Sequence, residues 1–139
     1  MARHAFGPPL VLIVDDHLDS CAMYAEALGF MGFQPVTAQT GEDGFARACA
    51  IHPDVIVADV MLPGISGLEL TRRLRRDERT KDAAVIVLTG RTFGTDEQQA
   101  NEVGCDRFLL KPCLPDALAG EIRHLLSARP PAVSDTRRR

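Results

Sequence analysis

Three aspartates stand where short apolar runs give way to polar sequence. Asp15 and Asp16 follow a run that ends at Val14, and Asp59 follows a run that ends at Ala58. Carboxylates that meet without compensation repel and raise one another's pKa, so such a group normally implies a bound cation. Carboxylate oxygens suit a hard ion, and Mg²⁺ is the cofactor we predict. Asp15 and Asp16 alone are equally compatible with stabilisation of a helix start through its dipole.

A hydroxyl and an ammonium group follow two further apolar runs, at Thr89 and Lys111. Either residue alone is unremarkable, because threonine is common in strands and lysine is more often a surface ion-pair partner. Together with three carboxylates they meet the needs of phosphoryl transfer. A carboxylate can act as the nucleophile and form an acyl phosphate, while cations neutralise the transferring oxygens. Asp59, which stands apart from the other two acids, is the predicted nucleophile.

Alternating strands and helices must position these residues. Apolar runs occur at Leu10–Val14, Pro35–Ala38, Val55–Ala58, Val85–Leu88 and Phe108–Leu110. Apart from the second, they are nearly continuous in apolar character, as is typical of parallel strands that helices cover on both faces. We therefore expect an α/β fold with a five-stranded parallel sheet in the order 2-1-3-4-5, doubly wound and flavodoxin-like, with five helices. Ligands of such sheets gather at the carboxyl ends of the strands.

Helix boundaries are marked by capping patterns and apolar stripes. A hydroxyl followed three residues later by an acid or amide predicts helix starts at Thr40, Ser66 and Thr95, and Pro115 is expected near the first turn of the last helix. The predicted inward stripe of the first helix consists of Leu18, Cys21, Ala25 and Leu28, and that of the last helix of Leu118, Ile122 and Leu125.

Length and composition indicate one domain. The chain has 139 residues with 45% hydrophobic content. We expect an N-terminal extension over residues 1–8, the domain over 9–127 and a disordered tail over 128–139. No run is long enough for a membrane span or a signal peptide, so we expect a cytoplasmic protein without membrane contact. The net charge of −3 argues against a broad basic surface, and no direct DNA binding is expected. The four scattered cysteines are expected to be reduced.

Four motifs resemble those of the receiver domains of two-component response regulators, the CheY-like superfamily, of single-domain type. They are V-D-D (Val14 to Asp16), D-V-M-L-P-G-I-S-G-L (Asp59 to Leu68), T-G (Thr89 and Gly90) and K-P (Lys111 and Pro112). The resemblance extends over roughly residues 9–127. It implies that a histidine kinase or histidine phosphotransfer protein phosphorylates Asp59. It further implies that Asp16, Asp59 and the Met61 backbone carbonyl bind Mg²⁺ directly, and that Asp15 acts through water.

The same resemblance implies how the site would signal. Lys111 would bind the phosphoryl group and the Asp59 carboxylate, and Thr89 would hydrogen-bond an added phosphoryl oxygen. Phe108 stands at the position of the family's switch aromatic, although an ordinary role in the strand core stays open. The surface of the fourth helix, fifth strand and fifth helix would then bind an unknown downstream protein or form a homodimer. Such a domain is not an enzyme beyond its own phosphorylation and dephosphorylation.

Other functions are less compatible with these residues. A haloacid-dehalogenase-like phosphatase needs a second acid two residues after its nucleophile, where this chain has Met61. A flavodoxin-like cofactor binder needs a phosphate-cradling loop after the first strand, where this chain has acids. A scaffold with the same fold but without phosphorylation, and a receiver that is part of a hybrid histidine kinase, stay open.

Three features near the site have more than one interpretation. Met61 and Arg91 flank the expected approach of water and could tune hydrolysis of the acyl phosphate. His17 is interpreted as a helix-start residue rather than a metal ligand. Gly64 and Gly67 fit either a tight turn or the clearance that a phosphodonor needs.

Overall fold

Strands and helices alternate along the whole described chain. The computed structural model describes residues 7–90 and 94–128, with side chains described from residue 97 onward in the second range. The elements are β1 (Leu10–Val14), α1 (Leu18–Phe30), β2 (Gln34–Ala38), α2 (Gly41–Ile51), β3 (Val55–Asp59), α3 (Gly67–Arg76), β4 (Ala84–Thr89), α4 (Gly94–Val103), β5 (Arg107–Leu110) and α5 (Pro115–Ala128).

The five strands form one sheet in the order β2-β1-β3-β4-β5, and all neighbouring pairs are parallel. The predicted fold class and strand order are therefore confirmed. Four strands are one or two residues longer than their apolar runs, at Gln34, Asp59, Ala84, Thr89 and Arg107. These residues pair through backbone amides and carbonyls, which does not require an apolar side chain.

The hydrophobic core lies on both faces of the sheet. One cluster joins alternate strand residues such as Val11 and Ile86 to the inward side chains of α1 and α5. The other joins the remaining strand residues, such as Leu12 and Val85, to α2 and α3. Because every residue of β1, β3 and β4 is buried, these strands are fully enclosed. Side chains at their ends are consequently held by a rigid scaffold.

Two of the predicted helix starts are confirmed by hydrogen bonds. The Thr40 hydroxyl accepts from the Asp43 amide at 3.0 Å, and the Ser66 hydroxyl accepts from the Glu69 amide at 3.1 Å. The third predicted start, at Thr95, lies one residue inside α4, and its side chain is outside the described residues. The last helix begins at Pro115, which therefore lies in its first turn as predicted, and its predicted stripe is buried.

The predicted stripe of α1 is wrong at one position. Cys21 and Leu28 are buried, but Leu18 is 67% exposed. Leu18 is the first residue of the helix and follows the last residue of β1 by four positions. Tyr24, three residues after Cys21, is buried instead.

The described helices are not of the membrane-spanning kind: within residues 7–90 and 94–128, none combines the required length with the required apolar character. Residues 129–139 of the predicted tail (128–139) and residues 1–6 of the predicted extension are outside the described residues. The predicted bounds of extension, domain and tail therefore stay predictions.

Candidate functional site

The predicted site residues lie at the carboxyl edge of the sheet. Asp15 directly follows β1, Asp59 is the last residue of β3, and Thr89 is the last residue of β4. Lys111 follows β5, and its backbone amide donates to the Thr89 carbonyl at 2.7 Å. Parallel strands that end at one edge thus bring together residues that are far apart in sequence.

An ammonium group covers both oxygens of the central carboxylate. The Lys111 Nζ atom lies 2.8 Å from Oδ1 and 2.9 Å from Oδ2 of Asp59, and it donates a hydrogen bond to Oδ2. The same Nζ atom is 3.8 Å from Oδ2 of Asp15. Asp15 and Asp59 are both buried, and the lysine side chain is partly exposed. One fixed cation therefore faces two buried acids.

Burial and the ion pair act in opposite directions on Asp59. Loss of solvent raises its pKa from 3.8 to about 6, although the hydrogen bond and charge of Lys111 lower it and the Asp15 charge raises it. For Lys111, burial alone would lower the pKa, but the hydrogen bond and charge of Asp59 outweigh burial and raise it. Both groups are consequently charged at neutral pH, and the carboxylate is available as a nucleophile or ligand.

The carboxylate cluster fits a divalent cation. One ligand atom from each of Asp15, Asp16, His17 and Asp59 can be chosen so that all lie within 4.8 Å of one another. Opposite ligands of an octahedral Mg²⁺ are about 4.2 Å apart, so small side-chain movements would suffice. Oδ1 of Asp59 is ion-paired, yet it accepts no hydrogen bond from the described residues. A buried anionic oxygen of this kind is available to a metal, and an oxygen-rich donor set favours Mg²⁺ over a softer ion.

His17 lies at the start of α1, and its side chain also contacts the two acids that precede it. It is the N-cap residue of α1, as expected, and its amide donates to Oδ1 of Asp15 at 2.9 Å. Its Nδ1 atom also lies 3.4 Å from Asp15 and 3.3 Å from Asp16. The adjacency of His17 to the acidic pair was the available sequence signal. An imidazole nitrogen is not a ligand that Mg²⁺ prefers, so the histidine borders the cluster.

The loop after Asp59 folds back against it. The Gly67 amide donates to the Val60 carbonyl at 3.0 Å, and a Cβ atom at Gly67 would overlap the carbonyl oxygen of Asp59. Gly64 has a φ angle of +75° and lies against the Glu42 carboxylate. Both glycines therefore serve the geometry of the turn. Met61, in the same loop, is 59% exposed.

The two predicted switch residues lie on neighbouring strands. Thr89 is buried at the end of β4, and Phe108 on β5 is paired with Val87. The Phe108 ring is half-buried and packs against the core cluster on the α2 and α3 face. This position is compatible with ordinary core packing and with a ring that changes exposure. Arg91, predicted to influence hydrolysis, lies outside the described residues.

A contact from α1 to the loop that carries Lys111 is not implied by any of the sequence motifs. The Tyr24 hydroxyl donates to the Cys113 carbonyl at 2.6 Å, and Tyr24 is 4% exposed. The available signal was that the single tyrosine of the chain lies three residues after Cys21 and four before Leu28. This spacing places it on the inward face of α1.

Comparison with known proteins places this arrangement in a family. The sequence profile described as the response regulator receiver domain matches residues 11–123. The phosphate regulon transcriptional regulatory protein PhoB of Pseudomonas aeruginosa is 38% identical over 125 residues, which are 90% of this chain and 55% of PhoB. The polar-differentiation response regulator DivK of Brucella ovis is 30% identical over 102 residues, which are 73% of this chain and 83% of DivK. This chain spans about half the length of the transcriptional regulators that it matches.

Solved structures agree with the profile match. The chemotaxis protein CheY4 of Vibrio cholerae superposes with a TM-score of 0.81 at 29% identity, over 85% of this chain and 98% of CheY4. The receiver domain of a signal transduction histidine kinase from Syntrophus aciditrophicus gives a TM-score of 0.81 at 28% identity, over 91% and 97% of the two chains. The profile match covers most of the chain and includes all the strand ends described above. The chain therefore belongs to the response regulator receiver domain family of two-component signalling systems.

Proposed function

We propose that Asp59 accepts a phosphoryl group from a phosphohistidine of a histidine kinase or a histidine phosphotransfer protein. The observation that carries the proposal is the Lys111 ammonium, which lies within 2.9 Å of both oxygens of the buried Asp59 carboxylate. This arrangement holds a nucleophile beside a cation that can neutralise an incoming phosphoryl group. The general function of the family, phosphorylation-dependent signalling, is in agreement with this assignment.

The transfer step follows from the charges at the site. An oxygen of Asp59 forms a bond to phosphorus while the P–N bond of the donor imidazole breaks, and its electron pair stays on the imidazole nitrogen. That nitrogen then takes up a proton from solvent. Lys111 binds a phosphoryl oxygen during transfer and afterwards, because its ammonium already stands over the acceptor. The chain catalyses its own phosphorylation and dephosphorylation and acts as a signalling module.

Mg²⁺ is the cofactor that we propose for this site. Asp16, Asp59 and the backbone carbonyl of Met61 would hold it directly, and Asp15 would act through water. When bound, the ion supplies charge neutralisation for the phosphoryl oxygens. The acids hold the acceptor and the donor group in position, since Asp59 ends the buried strand β3 and Asp15 and Asp16 follow the buried strand β1.

Phosphorylation would change the structure on the side of the sheet near β5. The added group carries about −1.5 to −2 charges and strong acceptor oxygens, so it attracts the Thr89 hydroxyl and the Lys111 ammonium. Movement at the end of β4 would change the environment of Phe108 on the neighbouring strand. The surface built from α4, β5 and α5 would then change its affinity for a downstream protein or for a second copy.

Intact-mass analysis tests the acceptor. The purified protein is incubated with acetyl phosphate and Mg²⁺, and in parallel with acetyl phosphate and EDTA. We expect one added phosphoryl group that requires Mg²⁺, is absent in Asp59→Asn and is present in Asp43→Asn, which changes an exposed acid. A Mg²⁺-dependent adduct that survives in Asp59→Asn would place the acceptor elsewhere. No adduct under any condition would favour the scaffold that is not phosphorylated.

Calorimetric titration of Mg²⁺ tests the metal assignment separately. Asp16→Asn should weaken binding at least tenfold, because the variant loses an anionic oxygen ligand. Asp19→Asn is the matched control, since Asp19 is also an exposed acid at the start of α1 but lies outside the cluster. Equal affinities of the two variants would contradict the proposed ligand set.

A further inference from the structure

Lys111 is carried by a short loop between β5 and α5, residues 111–114, which we call the lysine loop. Its first residue is bound to the end of β4, because the Lys111 amide donates to the Thr89 carbonyl at 2.7 Å. Its last residue enters α5, where the Leu118 amide donates to the Leu114 carbonyl at 2.9 Å. Both ends of the lysine loop are therefore fixed by backbone hydrogen bonds.

The middle of the lysine loop is held from another element. The Tyr24 hydroxyl on α1 donates to the Cys113 carbonyl at 2.6 Å, across 89 residues of sequence. The contact from within the loop, from the Cys113 thiol to the Leu114 carbonyl, is 3.9 Å long and correspondingly weaker. A short hydrogen bond from the buried Tyr24 side chain is thus the stronger restraint on the backbone two residues after Lys111.

We propose that Tyr24 is a positioning residue for Lys111. Its hydroxyl fixes the lysine loop so that the ammonium stands over both oxygens of Asp59. The proposal rests on the proposed function, and it concerns a residue of α1 that touches neither the metal cluster nor the acceptor carboxylate by any described hydrogen bond.

The chemistry of the contact supports a specific role for the hydroxyl. The ring of Tyr24 packs in the core beside Leu28 and the inward residues of α5, and a phenylalanine would fill that space equally well. The hydroxyl adds a buried polar atom, which costs stability unless it finds a partner. Burial raises the pKa of Tyr24, so the phenol stays protonated and can donate at neutral pH. Its partner is the backbone of the lysine loop.

Small errors in the position of Lys111 should matter for transfer. The ammonium lies 2.8 Å from Asp59 Oδ1 and 3.8 Å from Asp15 Oδ2, so a displacement of about 1 Å would lengthen the close contact with Asp59 to the length of the contact with Asp15. A displacement of about 1 Å in a positioning group can change rates by one to two orders of magnitude. If the loop is released at Cys113, the lysine samples a wider range of positions and meets the incoming phosphoryl group less often.

The test variant is Tyr24→Phe, which removes one oxygen atom and keeps the ring. The first measurement is the rate at which acetyl phosphate labels Asp59 with saturating Mg²⁺, followed by intact mass. We expect labelling to slow roughly threefold to tenfold. The second measurement is the Mg²⁺ affinity by calorimetry, which should change by less than about twofold because the proposed ligands lie at or directly after the ends of β1 and β3, away from the lysine loop.

A double-variant cycle separates positioning from general loss of stability. In a Lys111→Met background, adding Tyr24→Phe should change the labelling rate by less than about twofold, because the group that Tyr24 positions is gone. Leu28→Val, a cavity-forming change on the same buried face of α1, is the stability control and should label at the rate of the unaltered protein.

The outcomes separate this inference from the proposed function. If the unaltered protein acquires no Mg²⁺-dependent adduct, the proposed function fails and this inference fails with it. If the unaltered protein is labelled and Tyr24→Phe is labelled equally fast, the inference alone is overturned. It is also overturned if Tyr24→Phe slows labelling by the same factor with and without Lys111, or if Leu28→Val slows it as much.

Discussion

The Lys111 ammonium lies 2.8 Å from one oxygen and 2.9 Å from the other oxygen of the Asp59 carboxylate. Asp59 is nevertheless sufficiently buried that its pKa is raised to about 6. The ion pair therefore compensates only part of the cost of burying the carboxylate. Without a metal, this site is organised for chemistry at the expense of stability, which leads to two predictions about the metal-free protein.

Asp59→Asn should stabilise the metal-free protein at neutral pH. A carboxyl group whose folded pKa is raised contributes stability that is present below its unfolded pKa, near 4, and is lost as the pH rises through about 6. The asparagine side chain stays uncharged at every pH, so the variant does not lose this stability as the pH rises. The rise from 3.8 to about 6 corresponds to at most about 3 kcal/mol, reached above pH 7. Urea unfolding in EDTA at pH 4 and pH 7.5 measures the difference.

The sign of this effect separates it from the loss of an ordinary surface acid. Asp43→Asn, in the first turn of α2, should lower stability by a few tenths of a kcal/mol at neutral pH, because it loses a favourable dipole interaction. An Asp59→Asn protein whose gain is the same at pH 4 and pH 7.5 would contradict the assigned pKa.

Lys111→Met should destabilise the metal-free protein, and the loss should grow with pH. Without the ammonium, the pKa of Asp59 rises further, and the stability that depends on its protonated form is lost above pH 4. Breaking a buried pair costs several kcal/mol, and partial exposure of the lysine reduces this to about 2 kcal/mol at pH 7. Urea unfolding in EDTA is again the measurement.

Lys81→Met provides the matched control for the lysine. Its ion pair with Glu78 is 3.0 Å long but lies on the surface, where solvent screens it, so we expect a much smaller loss of stability than in Lys111→Met. Similar losses in both lysine variants, or a Lys111→Met loss independent of pH, would mean that the pair at the site has no special energetic role.

Gly67→Ala should be strongly destabilising, although alanine favours helices. A Cβ atom at Gly67 would overlap the Asp59 carbonyl oxygen, and neither backbone can move without displacing the acceptor. We expect a loss of about 2–3 kcal/mol in thermal or urea unfolding, together with slower labelling of Asp59. Gly120→Ala on α5 meets nothing within 4 Å and should gain about 0.5–1 kcal/mol. A neutral Gly67→Ala variant would argue against the close approach.

The sheet and the acidic edge could be predicted because both depend on local pattern. Apolar runs mark strands, and parallel strands bring their ends together, so Asp59 and Lys111 meet whatever the details of packing. The error at Leu18 has the same origin, since periodicity does not tell where the covered part of a helix begins. A single residue at the end of a stripe can point past the sheet.

Contacts that depend on particular side chains could not be predicted in this way. The bond from Tyr24 to Cys113 spans 89 residues, and that from Arg75 to Asp106 spans 31 residues. Neither is implied by a motif, because each depends on how two separately packed elements face each other. The sequence predicts that Tyr24 and Arg75 lie on helices, but it does not predict which residue each of them contacts.

The last prediction concerns Arg75, whose side chain lies at the opposite edge of the sheet from Asp59. Its guanidinium donates to the carbonyl of Gly104 at 2.9 Å, to that of Ala83 at 2.6 Å, and to the Asp106 carboxylate at 2.9 Å. The same carboxylate accepts from the Val85 amide at 2.8 Å. Arg75 thus joins α3 to the segments that precede β4 and β5.

Arg75→Met should therefore cost about 2 kcal/mol of stability, because several partly buried acceptors lose a charged donor at once. Arg76→Met, which changes the exposed neighbour in the last turn of α3, should cost only a few tenths of a kcal/mol. Urea unfolding of both variants gives the comparison. Hydrogen exchange should show that Arg75→Met increases exchange mainly at the start of β4 and β5. An equal loss of stability in Arg75→Met and Arg76→Met would mean that Arg75 contributes no more than an exposed surface charge.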